Sequence, residues 1–208
     1  MTSSYRTPQE EFWAGEFGNE YSLRNTDERW VASNIALFSR LLAKCRKVDS
    51  VIEFGSNIGN NLKALRSLLP QAKLTALEIN ASAVEKLRAW GGAERIHHGS
   101  ILEFEPQATW DLALIKGVLV HIQPEQLPRV YEALHRACGR YIAIVEYYNP
   151  TPVEIVYRGH AGRLFKRDFA GEMLDTYPDL RLVDYGFVWR RDPLFPQDDA
   201  TWFVLEKA

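Results

Sequence analysis

Cysteine and methionine are scarce in this sequence of 208 residues, which contains two of each. Two cysteines are too few for a disulfide scaffold, and Cys45 and Cys138 occupy positions that helical periodicity buries, so we expect structural thiols and a reducing compartment. An excess of either charge is missing as well. The 25 basic and 27 acidic residues leave a net charge of −2, which argues against a strongly cationic nucleic-acid-binding protein.

Long apolar runs are also absent. No stretch approaches the ~20 apolar residues of a membrane span, and the N-terminus is polar, so we expect a cytoplasmic protein with no membrane partner. The five histidines form no HExxH motif, and His135-x-x-Cys138 lacks a second pair of ligands, so the sequence predicts no metal site. A hydrophobic content of 46% is typical of a globular protein, and we expect one domain over residues 1–208.

Apolar runs of strand length alternate with helical patterns from about residue 49 onward. This alternation is typical of βα units, and it predicts an α/β fold with a mostly parallel sheet and helices on both faces. The seven predicted strands are Ser50–Phe54, Lys73–Glu78, Arg95–His97, Asp111–Lys116, Tyr141–Tyr147, Leu182–Phe187 and Thr201–Glu206.

Helical periodicity and end signals predict four helices, Asp27–Cys45, Asn61–Leu69, Ala81–Trp90 and Pro124–Cys138. Ser82 and Glu85 match a capping box at the start of the third helix. Gly139 is typical of a residue that ends the fourth. Residues 11–21 contain four aromatic residues and two glycines and follow neither the helical nor the strand period.

A glycine-containing loop, Glu53-x-Gly55-x-x-x-Gly59, follows the first predicted strand and precedes a helix. Ligands meet backbone N–H groups at this place in parallel sheets, although such a loop alone is also typical of a plain βα turn. Glu78 ends the second strand, where a carboxylate accepts hydrogen bonds from ribose hydroxyls. The two features together favour a nucleoside-binding pocket.

The loop disfavours a dinucleotide, because Asn57 and Asn60 stand where G-x-G-x-x-G needs glycine. An NAD(P)-linked reductase remains an alternative, although the chain also lacks a Tyr-x-x-x-Lys pair. Glu53 suits a ligand that carries an ammonium group, since the opposite charge stabilises it where water is partly excluded. S-adenosylmethionine (SAM) carries such a group.

These residues, together with Gly99-Ser100-Ile101 and the segment Asp111–Ile122, resemble successive motifs of class I SAM-dependent methyltransferases. The resemblance covers most of the chain. It implies a Rossmann-like fold with strand order 3-2-1-4-5-7-6, an antiparallel seventh strand, and SAM as cofactor.

A narrower resemblance rests on Phe12–Gly18 with Arg24-Asn25, Glu146–Ile155 and Phe165–Phe169. These segments are similar to the pseudaminic-acid-biosynthesis-associated methylases, small enzymes associated with nonulosonic-acid and surface-glycan pathways.

The class I resemblance also implies cofactor contacts. By analogy, the cofactor is bound by Glu53, Gly55, Asn57, Gly59, Glu78, Ile79, Ser100, Ile101, Lys116 and Gly117. Two of these residues depart from the family pattern. Asn57 replaces the commoner middle glycine, and Ser100 replaces the commoner aspartate beside the adenine amino group.

Catalytic candidates follow the fourth and fifth strands, at the ligand-binding edge. They are His121 and Tyr148. An imidazole with a pKa of about 6.5 suits a general base, and a structural role for His121 is the alternative. The candidate substrate-binding residues are Trp13, Tyr21, Arg24, Tyr147, Tyr157, Arg158 and His160.

Residues 1–26 are interpreted as a lid or as a helix packed on the sheet, and residues 148–167 as an acceptor-binding loop. The stretch Tyr157–Arg167 holds four cationic side chains and no acid, a pattern that suits either a clamp for a carboxylate or phosphate or a solvated loop. We therefore expect a SAM-dependent methyltransferase acting on O or N of a small anionic metabolite, such as a nonulosonic or related sugar acid, without a nucleic-acid partner. A non-catalytic SAM-binding accessory protein is the further alternative, and the oligomeric state stays open.

Overall fold

The computed structural model describes residues 5–26 and 28–208, and this part of the chain contains nine strands and seven helices. The strands are β1 (Ser50–Phe54), β2 (Lys73–Glu78), β3 (Arg95–His98), β4 (Trp110–Lys116), β5 (Cys138–Glu146), β6 (Val153–Tyr157), β7 (His160–Lys166), β8 (Leu180–Val188) and β9 (Ala200–Lys207). All seven predicted strands are present, within three residues at either end.

The helices are α1 (Pro8–Ala14), α2 (Glu16–Arg24), α3 (Glu28–Leu42), α4 (Asn60–Leu68), α5 (Ala81–Trp90), α6 (Leu127–Ala137) and α7 (Phe169–Thr176). The predicted start of the long first helix, Asp27, lies outside the described residues, as do residues 1–4 of the predicted lid. Among the helices described here, none has the length and apolar character needed to cross a membrane.

One seven-stranded sheet has the order β3-β2-β1-β4-β5-β9-β8. Strands β1 to β5 pair in parallel, whereas β9 is antiparallel to both β5 and β8. This is the predicted arrangement of the sheet. The numbering of the last two strands differs because two strands that the sequence did not predict precede them in the chain.

The unpredicted strands β6 and β7 form a separate antiparallel hairpin. Its turn residues, Arg158 and Gly159, have φ angles of +50° and +87°. A two-residue turn with both φ angles positive matches the twist of a hairpin, and Asn-Gly is its usual sequence signal. Arg-Gly hides that signal, so the predicted acceptor-binding loop at 148–167 is largely a hairpin.

The core lies on both faces of the sheet. On one face α6 and α7 cover the inner strands, where Leu134 and Ile144 are buried. On the other face α3 and α4 bury Leu37 and Leu65. Cys45 and Cys138 are both free thiols, as predicted, although Cys45 is only half-buried.

Two predicted helix ends are wrong. The N-cap of α5 is Asn80, whose side chain accepts a hydrogen bond from the backbone N–H of Ala83, so Ser82 lies inside the helix and does not cap it. The second wrong end is that of the helix predicted to stop at Cys138 before Gly139. This helix, α6, ends at Ala137, and Cys138 already pairs with Trp110 as part of β5. The parallel ladder begins directly at the helix end, so no glycine turn is needed there.

We expect Leu134→Ala to lower the free energy of unfolding by about 2–5 kcal/mol, because it opens a cavity under α6. Leu134 is 0% exposed, whereas Leu194 is 77% exposed. The control Leu194→Ala should change the stability by less than about 0.5 kcal/mol. Urea unfolding of both variants measures the difference, and equal effects would contradict the assigned packing.

Candidate active site

A cavity of about 480 Å³ lies at the carboxyl edge of the parallel strands. Its floor is built from the loops that follow β1, β2, β3 and β4. Its opposite wall contains Trp13 and Tyr21 from the N-terminal helices and Tyr157 and Arg158 from the β6–β7 hairpin. The order of the strands reverses beside β1, and ligands bind in open α/β sheets at this kind of crevice.

The turn after β1 has left-handed backbone at three positions, Gly55, Asn57 and Gly59. Gly55 has a φ of +76°, and a Cβ atom there would lie 2.5 Å from Cγ2 of Val118. Asn57 has a φ of +46°, a conformation in which asparagine is the most tolerated residue after glycine. The departure from the family pattern at Asn57 therefore preserves the backbone that a glycine supplies.

Glu78 connects the loops after β1 and β2. It is 7% exposed, and its carboxylate accepts hydrogen bonds from the backbone N–H groups of Asn57 and Asn80, each at 2.7 Å. Burial raises the pKa of Glu78, whereas these backbone donors oppose the rise. The carboxylate retains free lone pairs toward the cavity that it lines.

A second acid is buried beneath the floor. Glu53 is 0% exposed, and Oε1 accepts a hydrogen bond of 2.5 Å from Nδ2 of Asn61, while Oε2 has no partner among the described residues. Burial raises the pKa of Glu53 to about 8. Lys116 lines the cavity. Burial lowers the pKa of Lys116, and nearby acids, Asp198 and Glu53 among them, oppose this lowering.

Glu146, at the end of β5, holds the loop after β4. Its Oε1 accepts hydrogen bonds from the backbone N–H groups of Val118 and Leu119, each at 2.8 Å. Burial raises the pKa of Glu146 to about 7, although these donors favour the ionised form. The sequence alone does not predict that Glu146 binds this loop, because other strands also end in an acidic residue.

The loop that Glu146 holds carries His121, in the 3-10 turn Leu119–His121. The imidazole is 8% exposed, and its Nδ1 lies 2.6 Å from the carbonyl oxygen of Arg163 on β7. Its ring centroid lies 4.7 Å from that of Trp13 and 4.9 Å from that of Tyr157. Burial in this aromatic setting lowers the pKa of His121 to about 4.

The N-terminal helices are attached to the floor by side-chain hydrogen bonds. Glu10, which forms a capping box with Thr7, accepts a hydrogen bond from the hydroxyl of Ser100. Nδ2 of Asn80 donates to the carbonyl oxygen of Trp13 at 3.1 Å and to Oδ1 of Asn19 at 2.9 Å. The helices therefore pack directly over the cavity.

Asp198 is a lining residue that the sequence analysis missed. It lies in the irregular segment between β8 and β9, where neither period nor motif marks it. Burial raises the pKa of Tyr147, and the Asp198 carboxylate raises it further. The neighbouring Gln197 is buried and donates to Oδ1 of Asn34 at 2.9 Å, which holds this segment against α3.

Fourteen of the predicted site residues line the cavity: Trp13, Tyr21, Gly55, Asn57, Glu78, Ile79, Ser100, Ile101, Lys116, Gly117, His121, Tyr147, Tyr157 and Arg158. Two other predicted residues lie behind the floor. Glu53 faces Asn61 of α4, and a Cβ atom on Gly59 would lie 2.7 Å from Leu87 of α5. These two residues shape the loop from behind.

Three further predicted residues lie away from the lining. Arg24 pairs with Glu20 at 3.3 Å on the surface of α2. Tyr148 is 42% exposed. His160 packs against Phe12, with ring centroids 5.1 Å apart. Because their side chains are outside the cavity, a direct role of these residues would require a rearrangement of the helices or of the hairpin.

Glu53→Gln tests the electrostatics beneath the floor. The folded pKa of Glu53 is raised from 4.5 to about 8, so the folded chain keeps a proton that the unfolded chain releases. Wild-type stability therefore falls as the pH rises through this window, by at most about 1.4 kcal/mol per pH unit from this group. The variant lacks this loss.

We expect the unfolding free energy of Glu53→Gln, relative to wild type, to increase steadily between pH 5 and pH 8. Urea titrations across this range measure it. Glu85→Gln, on the exposed side of α5, is the control and should show a constant difference. A constant difference for Glu53→Gln as well would contradict the burial of a protonated carboxyl.

Comparisons with known proteins agree with this architecture. Residues 52–140 match the family described as "Methyltransferase domain". A SAM-dependent methyltransferase from Leishmania major is 15% identical, with a TM-score of 0.72 over 96% of this chain and 86% of that one. No curated protein sequence matches significantly.

Several similar solved structures contain bound ligands, among them two that align with the whole of this chain. Magnesium protoporphyrin IX methyltransferase from Synechocystis, with bound SAM, is 11% identical, with a TM-score of 0.69 over 100% of both chains. The 1,6-didemethyltoxoflavin-N1-methyltransferase of Burkholderia thailandensis, bound to its substrate and S-adenosylhomocysteine, is 16% identical, with a TM-score of 0.69 over 100% of this chain and 93% of that one. The predicted class I methyltransferase fold is confirmed, and residues 52–140 are similar to the methyltransferase-domain family.

Proposed function

We propose that this protein is a SAM-dependent methyltransferase that acts on O or N of a small anionic acceptor. The observation that carries the proposal is the position of Glu78, a buried carboxylate held by two backbone N–H groups at the crevice beside β1. The segment 52–140, which matches the methyltransferase-domain family, contains Glu78 and the loops that form the floor of this crevice. The sugar-acid class of the acceptor rests on the resemblance of the sequence to nonulosonic-acid-associated methylases.

The described residues fit SAM. Gly55 and Gly117 lie in left-handed backbone, and no atom lies within 4 Å of a Cβ built on Gly117, so the loop leaves room for close approach of a ligand. Glu78 and the loop Ser100–Leu102 line the cavity. In the proposed complex, Glu78 accepts hydrogen bonds from the ribose hydroxyls and the loop contacts adenine. When bound, SAM supplies an electrophilic methyl group on a sulfonium.

The chain itself excludes water and orients the acceptor. Trp13 and Tyr157 lie side by side in the wall opposite the floor, with ring centroids 6.5 Å apart. Aromatic faces favour a desolvated sulfonium by up to ~2 kcal/mol. The indole N–H of Trp13 is buried without a partner in residues 5–26 and 28–208, so a bound ligand that accepts this hydrogen bond removes an energetic cost.

Arg158 supports the anionic character of the acceptor. It lies at the tip of the β6–β7 hairpin, lines the cavity, and stacks 5.7 Å from the ring of Tyr157. The described chain contains no carboxylate within 4.0 Å of its guanidinium, whereas several other arginines are paired. An unpaired guanidinium beside an aromatic wall suits bidentate contact with a carboxylate or phosphate.

The cofactor assignment is tested by calorimetry with SAM, S-adenosylhomocysteine and NADH. We expect the first two to bind, and Glu78→Ala to weaken their binding at least 10-fold, because the ribose contact and the anchor of the Asn57 loop are both lost. Glu85→Ala, on the far side of α5, should bind like wild type. Binding of NADH without binding of SAM would overturn the proposal and favour a reductase.

The acceptor assignment is tested with methyl-labelled SAM and three anionic probes: glucuronic acid, N-acetylneuraminic acid and glucosamine 6-phosphate. We expect Arg158→Gln to raise KM for the active probe at least 10-fold with a smaller change in kcat, since the contact is made in the ground state. Arg88→Gln, exposed on α5, is the matched control. Transfer that is insensitive to Arg158 would contradict the anionic clamp.

A further inference from the structure

We propose that Nε2 of His121 accepts the proton of an acceptor hydroxyl during methyl transfer, so that the product is an O-methyl ether. This inference rests on the proposed function and deepens it, because it selects oxygen over nitrogen. It begins with the hydrogen bond of the imidazole to β7, which sets the chemical state of the ring.

The partner of Nδ1 is a backbone carbonyl oxygen, that of Arg163, at 2.6 Å. A carbonyl oxygen only accepts hydrogen bonds, so Nδ1 must carry the proton and donate it. In the neutral ring the other nitrogen, Nε2, then presents a lone pair. Nε2 has no hydrogen-bond partner in the described chain. It is also not one of the fully buried polar atoms that lack a partner, so it remains accessible from the cavity.

The surroundings of His121 keep the ring neutral. Trp13 of α1 and Tyr157 of β6 pack against it, and the Arg163 carbonyl of β7 is its hydrogen-bond partner. In the described residues, the one histidine with a carboxylate within 4.0 Å is His135, which contacts Asp179. His121 therefore lacks the negative charge that would stabilise an imidazolium, which is consistent with its lowered pKa.

A neutral, weakly basic imidazole suits a hydroxyl nucleophile. The acceptor oxygen forms the new C–O bond as the methyl C–S bond breaks and leaves its electron pair on sulfur, and the hydroxyl proton passes to Nε2. The oxygen becomes strongly acidic as this bond forms, so a weak base is sufficient to take the proton. An ammonium acceptor is a much weaker acid than an imidazolium in this setting, so the same ring cannot deprotonate it effectively.

The hairpin is a necessary part of this arrangement, since its β7 carbonyl selects the tautomer. Gln9 of α1 donates a hydrogen bond of 3.0 Å to the carbonyl oxygen of Gly162, which precedes Arg163 in β7. The N-terminal helices and the hairpin therefore position the imidazole together.

Nitrogen-detected NMR of the histidine ring nitrogens at pH 7 tests the tautomer in the ligand-free protein. We expect Nδ1 of His121 to be protonated and Nε2 to be unprotonated, and His135 serves as an internal reference with its own carboxylate partner. A protonated Nε2 would overturn the proposal whatever the enzyme methylates. This readout requires neither SAM nor an acceptor.

The variant His121→Asn separates a catalytic role from a structural one. Its amide Nδ2 takes the place of Nδ1 and keeps the donation to Arg163, but the acceptor at Nε2 is lost. We expect SAM affinity and the unfolding midpoint to stay close to wild type, while kcat falls by about 10²–10⁴-fold, the usual contribution of a general base. Wild-type kcat in His121→Asn would overturn the proposal.

Glucosamine 6-phosphate offers both an amine and hydroxyls, and mass spectrometry of the labelled product distinguishes the two positions. An O-methyl ether from any of the three probes supports the proposal, whereas an N-methyl product or a methyl ester overturns it. Absence of SAM binding, or of transfer to all three probes, counts against the proposed function. The NMR result then decides the tautomer by itself.

Discussion

The cavity depends on buried carboxylates that hold backbone N–H groups of neighbouring loops. Glu78 binds the N–H groups of Asn57 and Asn80, and Glu146 binds those of Val118 and Leu119. Each acid pays a desolvation cost, which raises its pKa, and two charge-assisted hydrogen bonds offset this cost. Loss of either acid leaves two backbone N–H donors unpaired. Glu78 therefore stabilises the loops after β1 and β2 together, and Glu146 stabilises the loop after β4.

The roof of the cavity is built differently from its floor. The floor consists of short loops fixed by strand ends, whereas α1, α2 and the β6–β7 hairpin meet one another through aromatic side chains. Phe12 stacks on Phe17 at 4.1 Å, and Phe12 also contacts His160 of the hairpin. Aromatic contacts supply large apolar area. The roof is therefore held together mainly by apolar contacts, and Glu10 and Asn80 attach it to the floor by hydrogen bonds.

The floor was largely predictable from the sequence, whereas for the roof individual lining residues were predictable but the helices and strands that carry them were not. Glycine, acid and apolar strand signals recur at regular places in βα units, so the sequence predicts Gly55 and Glu78 at this edge of the sheet, and both line the cavity. Asp198 and the hairpin lie where the chain follows no period, and the Arg158-Gly159 turn lacks the usual asparagine. Their places depend on long-range contacts, such as the hydrogen bond between Gln197 and Asn34. The predicted capping box of Ser82 and Glu85 is wrong because Asn80, two residues earlier, caps the helix. Asn80 also donates a hydrogen bond to the N-terminal helices.

The charges of the cavity differ from floor to roof in a way that suits two different ligands. Among the residues that line the cavity, the Glu78 carboxylate lies on the floor together with Lys116, whereas the cationic Arg158 lies on the hairpin. A cationic cofactor on the floor and an anionic acceptor under the roof would each meet the opposite charge, and their own opposite charges would draw the reacting atoms together. His121 lies between these two regions and is neutral, so it perturbs neither. An imidazolium there would repel the sulfonium, which explains why a carbonyl partner serves this site better than a carboxylate that favours the protonated ring.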